Sequence, residues 1–307
     1  SYDQFPINTH SPSPGGIIGL YDYYPEQIIG LIAANGEVTG PYIPFYEVYV
    51  EIEAMVTVSP ICTPMDGYKP PFNDYAQSGM PDFDQKQDEW YYGEQWTWCG
   101  PTAVANSLWW MDSRFENPAS PPPPTISDSF IMVTRYNLAW DDHDMRNVQP
   151  LIQDLAWYMD TDGKRTDTVH CGTYWWDMAS GIQMYIQAKR LERYFTVGAF
   201  PVVDPRMIIE EVHRCEDVIL LLGFWQEQGP GMWVRLGGHY VTVEAVETTT
   251  PTIFVSDPIR DLAELGFPGF VPIPHPPGHD PTFHNNPSFV SWDAFNIIQS
   301  PSPGGPH

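Results

Sequence analysis

The stretch EQWTWCGPTAVANSLWWMD, Glu94 to Asp112, sets one cysteine, Cys99, between a tryptophan and a Gly-Pro pair. A thiol is a weak nucleophile until it loses its proton, and its unperturbed pKa is about 8.5. Val104, Ser107, Leu108 and Met111 recur at helical spacing after Pro101, a residue that suits a first helical turn, so Cys99 is expected just before a helix N-terminus. Unpaired N–H groups and the positive dipole end at such a terminus favour an anion. Gly100 adds no side chain to block an approaching carbonyl. The Cys99 N–H is a candidate donor to a developing oxyanion, and the amide of Gln95, four residues earlier, is a candidate second donor.

A cysteine nucleophile also needs a base. GGHYVTV supplies His239 at the head of an expected strand, with glycines that let a substrate approach. Val241 and Val243 continue its face, which puts the imidazole at a sheet edge above apolar packing. TIFVSDP, Thr252 to Pro258, reads as the next strand, and TTTP between the two as a hairpin loop. Ile253, Val255 and Asp257 lie on one face of it. If paired residue numbers sum to an even value, His239 and Asp257 are neighbours on that face. Asp257 can then hold the imidazole tautomer and stabilise its cation. An odd sum separates them. Singly, each residue is more often packing, a satisfied histidine or a turn. Their order, on helix, strand and next strand, gives the set its weight.

Several elements must position these groups. EVYVEIEAMVTV, Glu47 to Val58, alternates as a strand, and residues 61–93 read as irregular coil. Asn147 to Asp160 and Tyr174 to Phe195 read as helices, and Asp204 to Cys215 as a short helix capped by Asp204. Asp217 to Trp225 is a buried strand, and Pro-rich coil returns after about Gly266. Helices followed by an antiparallel sheet predict an α+β architecture.

CGPTAVANSLWW, GGHYVTVEAV and VSDP resemble the three active-site segments of papain-like cysteine peptidases, in the branch of the bacteriocin-processing (double-glycine leader) peptidases and their secreted relatives. Leu155 to Ile186 is similar to the stretch between Cys and His in secreted bacterial and archaeal members, where an acidic TDG turn leads into GT and a helix. The resemblance covers residues 90–260. It implies a papain-like fold, a helical half followed by an antiparallel β-sheet half, with Cys99 as nucleophile, His239 as base and acid, and Asp257 as orienting residue. The family's oxyanion glutamine sits further upstream, where this chain has Gly93, and Gln95 is the nearer amide. The expected organisation is a Pro/Gly-rich N-terminal extension over 1–89 with at least one strand, a peptidase domain over 90–260, and a Pro-rich C-terminal extension over 261–307.

Composition bounds the rest. The chain has 307 residues, 42% hydrophobic and 14% aromatic, so it can bury a sizeable core. A net charge of −25 repels phosphate backbones and anionic membranes, so nucleic acid is not an expected partner. The same balance suits a secreted protein, a high-salt habitat or a cation-collecting surface. No apolar run is long enough to span a bilayer. The chain begins at Ser1 without a signal peptide, which reads as a processed start or a fragment. SPSPGG occurs at Ser11–Gly16 and Ser300–Gly305, as coincident linkers or as flanks of one unit in a larger chain. ASPPPPTIS reads as a polyproline strap.

With Cys99 assigned, Cys62, Cys171 and Cys215 allow at most one disulfide; Cys171–Cys215 is the candidate and free buried thiols are the alternative. Asp160, Asp162 and Asp167 around Gly163 resemble part of a calcium loop without its closing glutamate, the alternative being a solvated acidic turn. Asp141 to Asp144, and His275, His279 and His284, are weaker cation candidates. Trp96 and Trp98 are candidates for the wall of a substrate cleft; the other tryptophans read as core.

The expectation is a secreted cysteine peptidase that requires no cofactor, with Ca2+ as a candidate ion. Its substrate is a peptide or protein, with small residues such as Gly-Gly implied by the resemblance. The runner-up is an extracellular structural or binding protein on the same scaffold, assembling as a homo-oligomer or filament through its N-terminal strand. A transferase sharing the thioester step is a third reading.

Overall fold

Every residue from Gly100 to Arg114 is buried, so the helix that begins at Cys99 runs through the middle of the protein and is covered on all sides. A computed structural model describes residues 19–21, 42–54, 80–81, 83–85, 90–92, 95–115, 130–133, 147–200, 205–229, 232–247, 252–258 and 293–298. The central helix, α1, spans Cys99–Phe115. Around it stand α2 (Val148–Tyr158), α3 (Trp175–Ala188) and α4 (Pro205–His213). Trp109, Trp110 and Met111 of α1 are fully buried, as are Leu151, Ile152 and Leu155 of α2 and Ile182 and Tyr185 of α3.

Among the described residues the strands are β1 (Gly19–Tyr21), β2 (Tyr42–Ala54), β3 (Tyr91–Tyr92), β4 (Gln95–Trp96), β5 (Phe195–Phe200), β6 (Asp217–Gly229), β7 (Met232–Glu247), β8 (Thr252–Ser256) and β9 (Asp293–Ile298). β3 and β4 form a small ribbon. The other seven make one antiparallel sheet in the order β1-β9-β8-β7-β6-β2-β5. The architecture is α+β, as the sequence implies.

Several boundaries differ from the sequence expectation. β7 begins at Met232, so His239 lies inside a long strand, opposite Leu222 of β6, and not at a strand head. The helix expected to reach Phe195 ends at Ala188, because Arg190 takes a left-handed φ of 62° and the chain turns into β5. β2 pairs with β5 on one side and β6 on the other. The β6 side is paired over Tyr42–Ile52 and the β5 side over Tyr49–Ala54, so β2 joins the sheet formed by the later strands.

Cys215 is disulfide-bonded, whereas Cys171 is a free thiol, so the expected Cys171–Cys215 pair does not form. Among the described residues no helix is long and apolar enough to cross a membrane. Cys62, Gly93, the Asp204 cap, the acidic run at 141–144, the histidines at 275, 279 and 284, the polyproline stretch and both SPSPGG copies lie outside the described residues.

Polar bonds lock α1 to the sheet beneath the site. Thr242 Oγ1 donates to the Ala103 carbonyl at 2.8 Å, and Asn106 Nδ2 donates to Ser256 Oγ at 3.0 Å. Asn106 Oδ1 accepts from Phe83 N at 3.0 Å, while Ser256 Oγ donates to the Pro81 carbonyl at 2.8 Å. Gln85 N donates to the Pro258 carbonyl at 2.7 Å. These groups are buried, where unmade hydrogen bonds are costly, so they fix the end of β8 relative to α1.

Candidate active site

Cys99 is the first residue of α1, not the residue before it. Thr102 closes the helix start from both its backbone N and its Oγ1, which reach the Trp98 carbonyl at 3.1 and 2.8 Å. The Cys99 N–H therefore belongs to the opening turn, whose N–H groups have no carbonyl four residues back. Cys99 is a half-buried free thiol.

The two sheet residues meet. Thr242 faces Ser256 and Val243 faces Val255, an even-sum register that turns His239 and Asp257 to one face. A bulge follows, between Val243 and Ala245, but it lies on the turn side of the pair and leaves this register intact. His239 Nε2 donates to Asp257 Oδ1 at 2.5 Å, with the two residues only 5% and 2% exposed. Nδ1 is the ring nitrogen that Asp257 does not take, and Cys99 lies near enough to the imidazole to act on its ionisation. Burial pulls the His239 pKa down, but the Asp257 charge and hydrogen bond outweigh it, with a further contribution from Cys99. The net result is a rise from 6.5 to about 10. The ring is held as a cation across neutral pH, between an acceptor carboxylate and a sulfur. Such a constellation can carry nucleophilic acyl transfer.

The surroundings revise two sequence expectations. Gly100 does not face an open approach: it is buried, and a Cβ there would stand 2.8 Å from Thr173 Oγ1 and 3.2 Å from Met178 Cε. Its lack of a side chain serves close packing. Among the described residues, open space lies instead at Gly237, where nothing stands within 4 Å of a would-be Cβ, two residues before His239. Trp98 is no cleft wall, being buried and stacked on Trp90 with centroids 4.6 Å apart. Trp96 is half-buried on β4, edge-on to the exposed Tyr91 at 5.2 Å. Gln95 is half-buried on β4, paired with Tyr92.

The acidic turn is structural in the contacts it makes. Asp160 accepts from the backbone N of Arg165 and Thr166 at 2.8 and 2.9 Å and from Thr166 Oγ1 at 2.7 Å. Burial opposes ionisation there, but the Thr166 and Arg165 bonds prevail and hold the Asp160 carboxyl below its usual range. Asp162 accepts from Thr97 Oγ1, Trp98 Nε1 and Gly172 N at 2.7, 2.9 and 2.6 Å. Asp160, Asp162 and Asp167 all sit at left-handed φ, which aspartate tolerates better than most residues. Among the described residues no group of three or more His, Cys, Asp or Glu gathers around a cation position. Sequence reasoning missed Thr97, Gly172, Asn106 and Ser256. The acid-Gly turn was a visible signal, read as a partial calcium loop or a solvated acidic turn; that Asp162 accepts from the segment that carries the thiol was not foreseen. No protein-family model, curated protein or solved structure matches this chain.

Proposed function

We propose that this chain is a cysteine peptidase with a papain-like domain, hydrolysing peptide bonds through a thioester. The observation that carries the reading is the buried His239–Asp257 hydrogen bond, with the half-buried Cys99 thiol near enough to the imidazole to favour its cation.

The Cys99 sulfur, having passed its proton to His239, attacks the scissile carbonyl carbon, and the carbonyl oxygen gains the charge. The Cys99 N–H and the Gln95 amide are the assigned donors to that oxygen. His239 then returns the proton to the departing amine, the C–N bond breaks, and a thioester remains on Cys99. His239 next takes a proton from water, which attacks the thioester. The acid leaves and the thiol is restored. Asp257 holds the ring orientation and its positive charge through both halves.

A disulfide at Cys215 supports an oxidising, extracellular setting, and the net charge of −25 suits a secreted surface. The substrate is a peptide or protein segment reaching the sulfur past Gly237. The test is cleavage of a quenched peptide library by the full chain and by Cys99→Ala. Thiol-dependent cleavage that vanishes in the variant supports the reading. No cleavage by a chain whose Cys99 is accessible to label refutes it.

A further inference from the structure

Asp162 is the only described acid whose carboxylate reaches the two residues immediately before the nucleophile. Its Oδ2 accepts from Thr97 Oγ1 at 2.7 Å and from Trp98 Nε1 at 2.9 Å, and its Oδ1 accepts from Gly172 N at 2.6 Å. The next residue along, Thr173, packs on Gly100, the residue immediately after the nucleophile. One loop thus grips the chain on both sides of Cys99. Thr97 is further tied through its N to the Trp90 carbonyl at 3.1 Å, and the Lys164 ammonium lies 4.5 Å over the Trp98 ring.

The loop is built to present that carboxylate. Asp160 closes it from inside, through Arg165 N, Thr166 N and Thr166 Oγ1. Asp162 takes a left-handed φ of 56°, a conformation disfavoured for residues with a side chain, which survives where surrounding bonds over-determine it. At Gly163, φ 75°, a Cβ would run into the Thr168 carbonyl, so the turn beside Asp162 admits no side chain. Both Asp162 oxygens meet N–H or O–H hydrogens, the complement of a carboxylate acting as an acceptor hub.

We propose that Asp162 is a positioning residue for the nucleophile: its carboxylate sets the strand-to-helix junction from which the Cys99 sulfur is aimed at His239. The inference rests on the peptidase reading of Cys99 and His239. Cys99 opens α1, so the direction of its side chain follows the backbone at Thr97 and Trp98. Freeing that junction moves the sulfur relative to a ring fixed by Asp257 and the sheet. A misplacement of about 1 Å costs on the order of a hundredfold in rate.

The experiment compares the full chain with Asp162→Asn and Thr97→Val. The asparagine keeps the shape but replaces one acceptor oxygen with a donor; the valine deletes one donor beneath the site. We measure kcat and KM on a peptide cleaved by the unmutated chain, and the rate of Cys99 alkylation by iodoacetamide followed by mass spectrometry, with far-UV circular dichroism to establish folding. The expected result is a fall in kcat of about ten- to a hundredfold in Asp162→Asn with KM within about twofold, and a smaller fall in Thr97→Val. Cys99 alkylation slows in parallel in both. Cleavage and alkylation within about twofold of the unmutated chain, or a loss confined to KM, overturns the role of Asp162 and leaves the peptidase reading intact. If the unmutated chain cleaves nothing, the peptidase reading is what fails, and alkylation decides the positioning: slowed in the variants supports it, unchanged overturns it. If Asp162→Asn does not fold, Thr97→Val carries the same two outcomes.

Discussion

Substituting alanine at Gly100 puts a methyl group into the joint between the nucleophile's helix and the loop that grips it. The new Cβ would lie 2.8 Å from Thr173 Oγ1, 3.0 Å from Thr173 Cβ and 3.2 Å from Met178 Cε. Carbon contacts settle at about 3.5–4.0 Å, so against Thr173 the shortfall is about half an ångström or more. The Met178 methyl ends a flexible side chain and can yield. Thr173 cannot yield freely, because its Oγ1 is bonded to Thr161 Oγ1 at 2.7 Å and its carbonyl receives the Tyr240 hydroxyl at 3.1 Å. Overpacking of this kind costs about 1–3 kcal/mol, and replacing glycine in a helix returns at most about 1 kcal/mol. The net expectation is a loss of about 1–2 kcal/mol, which for a chain of this size is a fall in Tm of about 2–6 °C. The strain falls next to Cys99, so kcat drops as well. Thermal melting by circular dichroism reads the first effect and peptide cleavage the second. A companion Gly100→Ala/Thr173→Ala variant recovers part of the loss, with a coupling of at least about 0.5 kcal/mol. If Gly100→Ala melts at or above the unmutated chain and cleaves as well, the joint is not tight and the glycine has another purpose.

Other consequences follow from the same contacts. The His239 pKa is raised in the folded chain, so the His239–Asp257 pair contributes stability that is fully present below about pH 6.5 and is lost as pH rises through about 10. The alkaline limb of kcat/KM accordingly lies far above the ordinary histidine range. In Asp257→Asn, burial is left to act without the opposing charge, and the limb moves to lower pH by about one unit or more; a limb unchanged in the variant contradicts the assignment. Asn106→Leu leaves Phe83 N without its buried acceptor and takes one of the two partners of Ser256 Oγ, and costs about 1–3 kcal/mol, read as a lower urea midpoint at unchanged m-value. An unshifted midpoint there means that the network is not what ties β8 to α1.

Much of this site was legible in the residues, because its signals are local. A thiol followed by Gly-Pro and an apolar helical pattern marks a helix start, and the alternation in β7 and β8 assigns faces to His239 and Asp257. The parity of the register was the open question, and Thr242 opposite Ser256 answers it. The path of β2 was not legible, since pairing with β5 and β6 across more than a hundred residues leaves no local trace. The early start of β7 was masked because its first residues lack the alternation that follows Gly238, being held by pairing to β6. The acidic turn was visible as a turn, but that Asp162 accepts from a distant hydroxyl and indole shows only once the chain is folded. Gly100 was misassigned for a related reason: a missing side chain marks close approach without saying what approaches.

The most direct measurement is the rate of iodoacetamide alkylation at Cys99 near pH 6, in the unmutated chain and in His239→Gln, with Cys171 as internal reference. Burial and the nearby Asp162 charge push the Cys171 thiol up, so it reports an unassisted sulfur in the same molecule. The account predicts that Cys99 reacts at least about tenfold faster than Cys171, and that His239→Gln removes the difference. Equal rates at the two cysteines, or a fast Cys99 indifferent to the loss of His239, contradict it.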